Sequence, residues 1–253
     1  MSLYDRVKGF NELVGFPHCL KTPTHGIKDT HSTTVIAIRY KDGILNLGDR
    51  RATAANYIMY DKAEKILVLD DYTLIGISGS FARSAEISRY LKHAFKYYAR
   101  TQLQEMSVPG KLQEVSNALA GNMSMAYEGI GIFIPIVSAY DPKEDKFGIF
   151  YFDALGARFE SSEFACAGSG SERIRGVFDF ISRTKGSFHE RQLKEVLVDG
   201  LNMLDIASQL DSATGGFDRL PPIAKVLTKE GINNVDEKLL SSAIKEISKG
   251  GDK

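Results

Sequence analysis

The stretch that decides the fold is residues 30–53, THSTTVIAIRYKDGILNLGDRRAT. It contains two apolar runs rich in β-branched residues, TTVIAIRY at 33–40 and GILNLGD at 43–49. Runs of this kind joined by a short Asp-Gly turn are typical of a β-hairpin. We therefore predict two antiparallel strands with Asp42-Gly43 at the turn. Asp49 then ends the second strand, where its side chain can face back to the first.

The remainder of the chain alternates between blocks of strands and blocks of helices. The predicted elements are strands at 65–71 and 72–78, helices at 80–102 and 111–129, strands at 131–141, 147–156 and 164–171, helices at 172–182 and 190–209, a strand at 221–231 and a helix at 237–247. Ser80 is the expected N-cap of the first helix. Strands in hairpin order and helices in separate blocks predict an α+β fold, a four-layer αββα sandwich of two antiparallel sheets flanked by helices.

Composition excludes several classes of protein. The chain has 253 residues, of which 43% are hydrophobic, and its 32 Lys and Arg residues balance its 32 Asp and Glu residues. A neutral chain has no overall attraction to nucleic acid or anionic membranes. Two cysteines cannot make a disulfide framework, and no apolar run is long enough for a membrane span. We expect a cytoplasmic protein.

The organisation is one folded domain preceded by a leader, residues 1–32. Apolar residues at helical spacing near the start of the leader predict a short amphipathic helix, and an irregular polar segment follows it. The leader has no continuous apolar region of a secretory signal. Three of the five histidines lie there at irregular spacing, so we predict no metal site.

Common catalytic signatures are missing from the sequence. It contains no G-x-S-x-G, H-E-x-x-H, phosphate-loop or C-x-x-C motif. The GSGS segment at 168–171 lacks the lysine of a phosphate loop. A Ser-His-Asp triad would need His93 or His189, and both fall in or beside predicted surface helices. These observations leave a different nucleophile to consider.

Thr33-Thr34 follows the leader directly and begins a strand. A threonine hydroxyl does not ionise near neutral pH, but it can use its own α-amino group as the base once it is the N-terminal residue. That amine has a reference pKa of about 7.7–8.0, and a nearby cation lowers it. Such chemistry needs a buried lysine, a carboxylate partner and backbone N–H groups for the oxyanion. Lys65, Asp49 and Gly79 are candidates for these roles.

At these residues the sequence resembles the β subunits of bacterial 20S proteasomes, which are N-terminal nucleophile hydrolases. The resemblance spans about residues 33–247 and is strongest at 30–53, at KILVLDDYTLIGISGS, at AGSGS and at DSATGG. Asp49 and Lys65 follow Thr33 by 16 and 32 residues, as the family pattern requires.

The resemblance implies a maturation step and a nucleophile. Residues 1–32 would be a propeptide removed by autocatalytic cleavage between Ser32 and Thr33, leaving residues 33–253 as the β-type peptidase domain. Thr33 would then be the nucleophile of a threonine endopeptidase. Lys65 would lower the pKa at the nucleophile, with Asp49 as its ionic partner.

The resemblance also implies roles for residues from other parts of the chain. Ser169, Asp211 and Thr214 would form a hydrogen-bond network around the Thr33 amine. The Gly79 N–H would form the oxyanion hole, and Thr53 would bind the extended substrate peptide together with residues near Gly79.

Two positions depart from the family pattern. Ser32 stands where the family normally has glycine before the nucleophile, which predicts slow self-processing. Phe81 stands where relatives carry a small residue beside the substrate groove, and we assign it to both groove and core. An apolar first pocket, which favours cleavage after hydrophobic residues, would be formed by Ala52, Ala63, Leu67 and Ile77.

The partners follow from the same resemblance. It implies a homo-heptameric β ring stacked on rings of a related α subunit, a ring-shaped ATPase regulator, and protein or peptide substrates. It implies no cofactor, metal, nucleic acid or membrane. Two alternatives stay open: a catalytically silent ring subunit, and the shorter heat-shock peptidase that forms double hexamers. The long leader and GDRRAT, in place of a GDGQ-type turn, argue against the latter. Retention of Thr33, Asp49 and Lys65 argues against the former.

Overall fold

The hairpin predicted at the start of the folded part is present in the computed structural model, which describes residues 33–54, 57–129, 131–217 and 220–250. The first strand is antiparallel to the second, and Val35 lies opposite Gly48. The predicted leader helix and Ser32 lie outside the described residues.

The described strands form two five-stranded sheets and one small two-stranded sheet. They are β1 (Thr34–Tyr40), β2 (Gly43–Gly48), β3 (Ala52–Ala54), β4 (Tyr57–Tyr60), β5 (Ile66–Asp70), β6 (Thr73–Gly76), β7 (Ile136–Asp141), β8 (Lys146–Phe152), β9 (Arg158–Ser161), β10 (Phe164–Gly168), β11 (Ile223–Thr228) and β12 (Gly231–Asn234). The first sheet has the order β10-β1-β2-β11-β12 and the second has β5-β6-β7-β8-β9, while β3 pairs only with β4. Every pairing is antiparallel.

The long helices lie on the outer faces of the two large sheets. The α-helices of the described residues are α1 (Phe81–Gln102), α2 (Val108–Ala120), α3 (Met123–Tyr127), α4 (Ser171–Lys185), α5 (Leu193–Leu210) and α6 (Glu237–Gly250). Side chains of α1 and α2 pack on the second sheet, and side chains of α4, α5 and α6 pack on the first. A third apolar cluster fills the space between the sheets. Three apolar interfaces make four layers, so the predicted αββα sandwich is confirmed.

Strand β1 illustrates why this sequence needs a sheet that is covered on both faces. Successive side chains of a strand point to opposite faces. Val35 and Ala37 point into the cluster between the sheets, whereas Ile36 and Ile38 point towards the helices. Because both faces are buried, residues 35–38 at the centre of the strand are all apolar instead of alternating with polar residues.

Three local predictions are corrected by the structure. The hairpin turn is Lys41-Asp42 and not Asp42-Gly43, since Tyr40 pairs with Gly43. The second helix begins at Val108, before Pro109, because proline is tolerated in a first helical turn. Ser80 occupies the N-cap position of α1 as predicted, but its side chain makes no capping hydrogen bond.

Within the described ranges, no helix combines the length and the apolar character that crossing a bilayer requires.

Candidate active site

The β1–β2 hairpin brings Thr33 and Asp49 to the same end of the first sheet. Thr33 immediately precedes β1, and Asp49 immediately follows β2. The Asp49 N–H donates to the Thr34 carbonyl oxygen at 3.2 Å, and the Thr34 N–H donates to Asp49 Oδ1 at 3.0 Å. Both Thr33 and Asp49 are buried. The Asp49 carboxylate is therefore hydrogen-bonded to Thr34, the residue that follows the candidate nucleophile Thr33.

Lys65 reaches the same carboxylate from the opposite sheet. It immediately precedes β5, and its Nζ donates to Asp49 Oδ1 at 2.7 Å and to the Arg51 carbonyl oxygen at 2.5 Å. The exposed fractions of the two charged side chains are 1% and 0%. Burial holds the pKa of Lys65 below its ordinary value, although Asp49 opposes that change. Asp49 Oδ1 thus accepts hydrogen bonds both from the Lys65 ammonium group and from the Thr34 N–H.

The Asp49 carboxylate accepts four hydrogen bonds. Oδ1 accepts from the Thr34 N–H and from Lys65, as described above. Oδ2 accepts from the Arg51 N–H at 3.0 Å and from the Gly215 N–H at 2.8 Å. A buried carboxylate needs such partners to offset the loss of hydration. These bonds also hold it in one orientation and tie the loop after α5 to the hairpin.

The edge strand β10 ends beside β1, one residue before Ser169. β10 pairs with β1, with Gly168 opposite Thr34. Ser169 directly follows the residue of β10 that pairs with Thr34, the neighbour of Thr33.

Ser169, Asp211 and Thr214 form one hydrogen-bond network, and its predicted position around the Thr33 amine stays a prediction. The hydroxyl groups of Ser169 and Thr214 both donate to Asp211 Oδ2, the latter at 2.6 Å. Thr214 Oγ1 also lies 2.7 Å from Thr34 Oγ1. The network from the loop after α5 thus reaches Thr34, the first residue of β1.

Gly79 lies at the junction between β6 and α1, near Lys65. The Ile77 N–H, two residues earlier, donates to the Lys65 carbonyl oxygen at 2.9 Å. Gly79 has a φ of +95° and forms an isolated bridge with Phe133. A Cβ atom there would lie 2.1 Å from the Ile132 carbonyl oxygen. This backbone conformation and this close approach both require glycine.

Comparison with known proteins agrees with this geometry. The sequence model of the proteasome subunit family matches residues 30–216. The chain belongs to the proteasome subunit family.

Several bacterial members of the family are similar over most of the chain. The proteasome subunit beta of Streptosporangium roseum is 29% identical, covering 96% of this chain and 83% of that protein. The proteasome subunit beta of Streptomyces griseus is 30% identical, covering 87% and 78%. That of Acidothermus cellulolyticus is 30% identical, covering 86% and 75%. The proteasome-type sandwich is thus the fold of this chain, and its relatives are bacterial β subunits.

Thr53, one of the predicted peptide-binding residues of this proteasome subunit, lies on the short strand β3. β3 pairs with β4 and has a register shift between Ala52 and Thr53. Thr53 is buried, and its hydroxyl has no hydrogen-bond partner among the described residues. An unsatisfied buried hydroxyl is costly and is explained when a ligand supplies the missing bond.

The residues predicted to form the first pocket differ in their burial. Ile77 is 2% exposed and belongs to the cluster under α1 and α2, against which the half-buried Phe81 and Leu67 also pack. Ala63 is buried, and Ala52 is half-buried. Their role in specificity stays a prediction.

Sequence reasoning missed two residues of this site, Thr34 and Arg51. Arg51 Nη1 donates to the carbonyl oxygens of Ser212 at 3.1 Å and of Thr214 at 3.3 Å. Its own carbonyl oxygen accepts from Lys65. Arg51 therefore holds the loop after α5 against the segment that follows the hairpin. No local pattern could reveal contacts between segments that lie so far apart in sequence.

Neither histidine of the described domain offers a rival centre. His93 is exposed on α1. His189 Nδ1 lies 2.8 Å from Ser187 Oγ and 2.8 Å from Glu163 Oε1. A serine-histidine-acid relay needs one ring nitrogen for each partner, and here both contacts use the same nitrogen.

Proposed function

We propose that this chain is an active threonine endopeptidase, the catalytic β subunit of a bacterial proteasome core particle. The observation that carries the proposal is the buried Lys65–Asp49 ion pair, which shares a carboxylate oxygen with the amide directly after Thr33. Taking two charges out of water costs several kcal/mol per ion. Burying them beside a candidate nucleophile supports a chemical role for the pair.

The first reaction is release of the leader, residues 1–32. The Thr33 hydroxyl attacks the Ser32 carbonyl carbon, forms an ester and breaks the Ser32–Thr33 peptide bond. Water then hydrolyses the ester. The products are a free leader carboxylate and a Thr33 residue with a free α-amino group, which is the base that the second reaction needs.

The second reaction is hydrolysis of a substrate peptide bond. The Thr33 hydroxyl transfers its proton to the Thr33 amine as its oxygen attacks the substrate carbonyl carbon. The Gly79 N–H stabilises the oxyanion. The amine returns the proton to the leaving nitrogen, and water hydrolyses the remaining acyl ester with the same amine as base. The Lys65 cation lowers the pKa of that amine and stabilises the developing alkoxide.

The other site residues position the reacting groups. Asp49 keeps Lys65 charged and in place. Ser169, Asp211 and Thr214 hold the Thr33 amine. Thr53 hydrogen-bonds the extended substrate, together with the backbone near Gly79.

Specificity follows from the apolar residues beside these groups. The pocket formed by Ala52, Ala63, Leu67 and Ile77 favours cleavage after hydrophobic residues. Phe81, at the start of α1, narrows that pocket.

The proposed subunit acts in the cytoplasm, inside a homo-heptameric ring stacked on rings of α subunits and served by a ring-shaped ATPase. Enclosure is the physical requirement, because an unspecific protease must be separated from folded proteins. Strand β4 supports assembly: its four residues, Tyr57–Tyr60, are large and apolar, and each is 50–77% exposed. Such a patch on an isolated chain indicates a surface that another subunit covers.

The test is the intact mass of the full-length chain, purified in the assembled particle with its α subunit. We expect a chain that begins at Thr33 and hydrolyses a fluorogenic peptide. Thr33→Ala should keep residues 1–32 and lack peptidase activity, while Thr33→Ser, which keeps a hydroxyl group, should be trimmed and active. A trimmed or active Thr33→Ala particle would overturn the proposal. A wild-type particle that is untrimmed and inactive would favour the silent ring subunit.

A further inference from the structure

We infer that Thr34, the residue after the proposed nucleophile, is a positioning residue that holds Thr33 in its reactive orientation through both its backbone and its side chain. The inference rests on the proposed function. Thr34 is 0% exposed, and its hydrogen bonds lead to both groups of site residues, the Asp49–Lys65 pair and the Asp211 network.

The backbone of Thr34 fixes the peptide unit that joins it to Thr33. The Thr34 N–H donates to Asp49 Oδ1 at 3.0 Å, and the Thr34 carbonyl oxygen accepts from the Asp49 N–H at 3.2 Å. The N–H belongs to the Thr33–Thr34 peptide plane. Once residues 1–32 are removed, Thr33 is attached to the protein only through this plane. Its remaining freedom is rotation about its own bonds.

The side chain of Thr34 acts as a hydrogen-bond donor in the second network. Thr214 donates its single hydroxyl proton to Asp211 Oδ2 at 2.6 Å, because a carboxylate oxygen only accepts. Thr214 Oγ1 must therefore accept in its 2.7 Å contact with Thr34 Oγ1. The order of donation runs from Thr34 to Thr214 to Asp211, and Ser169 donates to the same oxygen of Asp211. Hydrogen bonds in such a chain polarise and strengthen one another.

Gly170 provides the space that this hydroxyl pair needs. A Cβ atom at position 170 would lie 2.4 Å from Thr34 Oγ1 and 2.9 Å from Thr214 Oγ1. The backbone of Gly170, with φ −78° and ψ −12°, suits any residue. The second glycine of the GSGS segment is therefore required by the Thr34–Thr214 contact and not by backbone conformation.

The consequence is a division of labour within the Thr33-Thr34 pair. Thr33 supplies the hydroxyl group and the amine. Thr34 holds the start of the strand in place through its hydrogen bonds to Asp49 and Thr214. Loss of the Thr34 hydroxyl leaves the backbone contacts intact but removes the hydrogen bond that Thr214 Oγ1 accepts. We expect the chemical step to slow while substrate binding, which involves other residues, stays the same.

The experiment compares Thr34→Val, which keeps the β-branched shape, with Thr34→Ser, which keeps the hydroxyl group. Full-length chains are assembled with the α subunit, and kcat and KM for a fluorogenic peptide are measured per trimmed chain. Thr34→Val should lower kcat about tenfold and leave KM within about twofold. A tenfold loss of rate corresponds to about 1.4 kcal/mol of lost transition-state stabilisation. Thr34→Ser should restore most of the lost turnover.

The matched control is Thr73→Val. Thr73 is another threonine buried in a strand, is 1% exposed, and accepts a hydrogen bond from Lys111 at 3.3 Å, away from the site. Its kcat should equal that of the wild type. Wild-type turnover in Thr34→Val, or an equal loss in Thr34→Ser, would reject the inference.

If Thr34→Val does not assemble, Gly170→Ala tests the same contact by crowding the Thr34 hydroxyl without removing it. It should also lower kcat at unchanged KM, and full turnover would reject the inference. Thr33→Ala, measured in parallel, separates the two proposals. An active Thr33→Ala particle refutes the nucleophile itself, whereas an inactive one beside a fully active Thr34→Val particle refutes only the role of Thr34.

Discussion

Lys65 Nζ lies 2.7 Å from Asp49 Oδ1 in a contact that joins the two sheets, and neither side chain has more than 1% of its surface exposed. Buried ion pairs of this kind contribute little to stability, because desolvation offsets the attraction. An apolar pair of similar volume would fill the space between the sheets at least as well. The pair is therefore better explained by a chemical role beside the Thr33–Thr34 peptide unit, whose N–H donates to the same Asp49 oxygen as Lys65 does.

We first predict that Lys65→Ala abolishes peptide hydrolysis while the particle still assembles. Asp49 keeps its three backbone N–H donors, so the carboxylate stays hydrogen-bonded when the ammonium is lost. Activity should fall by about a thousandfold, which corresponds to about 4 kcal/mol of lost transition-state stabilisation. Peptidase assays and gel filtration of the assembled particle measure the two outcomes.

The control for this substitution is Lys225→Ala. Lys225 is a partly buried lysine on β11, and its Nζ lies 2.8 Å from Glu64 Oε1 and 2.8 Å from the Ile66 carbonyl oxygen. This variant should lose some stability and keep its turnover. Substantial activity in Lys65→Ala would mean that another group tunes the amine.

We next predict an alkaline limit to activity that lies below pH 10.5. The pKa of Lys65 is lowered from its ordinary value of 10.5, chiefly by burial, so Lys65 loses its charge at a lower pH than an exposed lysine does. Asp49 is the main group that raises this pKa, so Asp49→Asn should move the alkaline limb to still lower pH. The profile of kcat/KM from about pH 6 to about pH 11 reports both limbs.

Unfolding linked to Lys65 does not produce this limit. Between the lowered pKa and 10.5 the unfolded chain binds more protons at Lys65 than the folded chain does. The contribution of this group to the free energy of unfolding therefore rises with pH across that window. Thermal denaturation at each pH separates the two effects. An Asp49→Asn profile with an unchanged or more alkaline limb would contradict the assigned pairing.

The sequence predicts the parts of this site that depend on local structure. The β1–β2 hairpin follows from two apolar runs, and it alone brings Thr33 close to Asp49. Lys65 is a candidate from the sequence alone because it begins a strand, whereas the 211–216 segment is predicted at the site only through the resemblance to a family. The contacts of Thr34 and Arg51 with the loop after α5 depend on packing between distant segments, which no pattern of neighbouring residues encodes.

The fold, like the site, depends partly on patterns of neighbouring residues and partly on contacts between segments that are distant in sequence. The layers follow from the order of strands and helices, but the first turn is shifted by one residue. A Cβ atom at Gly43 would lie 2.1 Å from the Leu227 carbonyl oxygen, so this glycine serves the close approach of β11 and not the turn. Strand β4 was missed because its apolar residues are all exposed and lack the usual alternation.

A third prediction concerns Gly79→Ala, which should lose activity and stability together. The added Cβ would meet the Ile132 carbonyl oxygen, and the φ of +95° is strained for alanine. Destabilisation by about 1–3 kcal/mol is expected from such a position. Gly176→Ala is the matched control: it lies inside α4, its added Cβ meets no atom within 4 Å, and it should raise stability by about 0.5–1 kcal/mol. A fully active and stable Gly79→Ala would exclude this backbone from the oxyanion hole.

The last prediction is that Ser32→Gly speeds removal of the leader. The Thr33 hydroxyl must reach the carbonyl carbon of residue 32, and glycine adopts the tight backbone geometries that this attack needs more readily than serine does. Ser32→Ala keeps a Cβ atom and should be trimmed at the wild-type rate. Thiol titration of the chain, after its separation from the released leader and the α subunit, follows the reaction, because Cys19 leaves with residues 1–32 and Cys166 remains. A denatured chain thus falls from two thiols to one, while native Cys166, whose pKa burial raises to about 12, should hardly react near neutral pH. Equal rates for the glycine and alanine variants would show that another step, such as ring assembly, limits maturation.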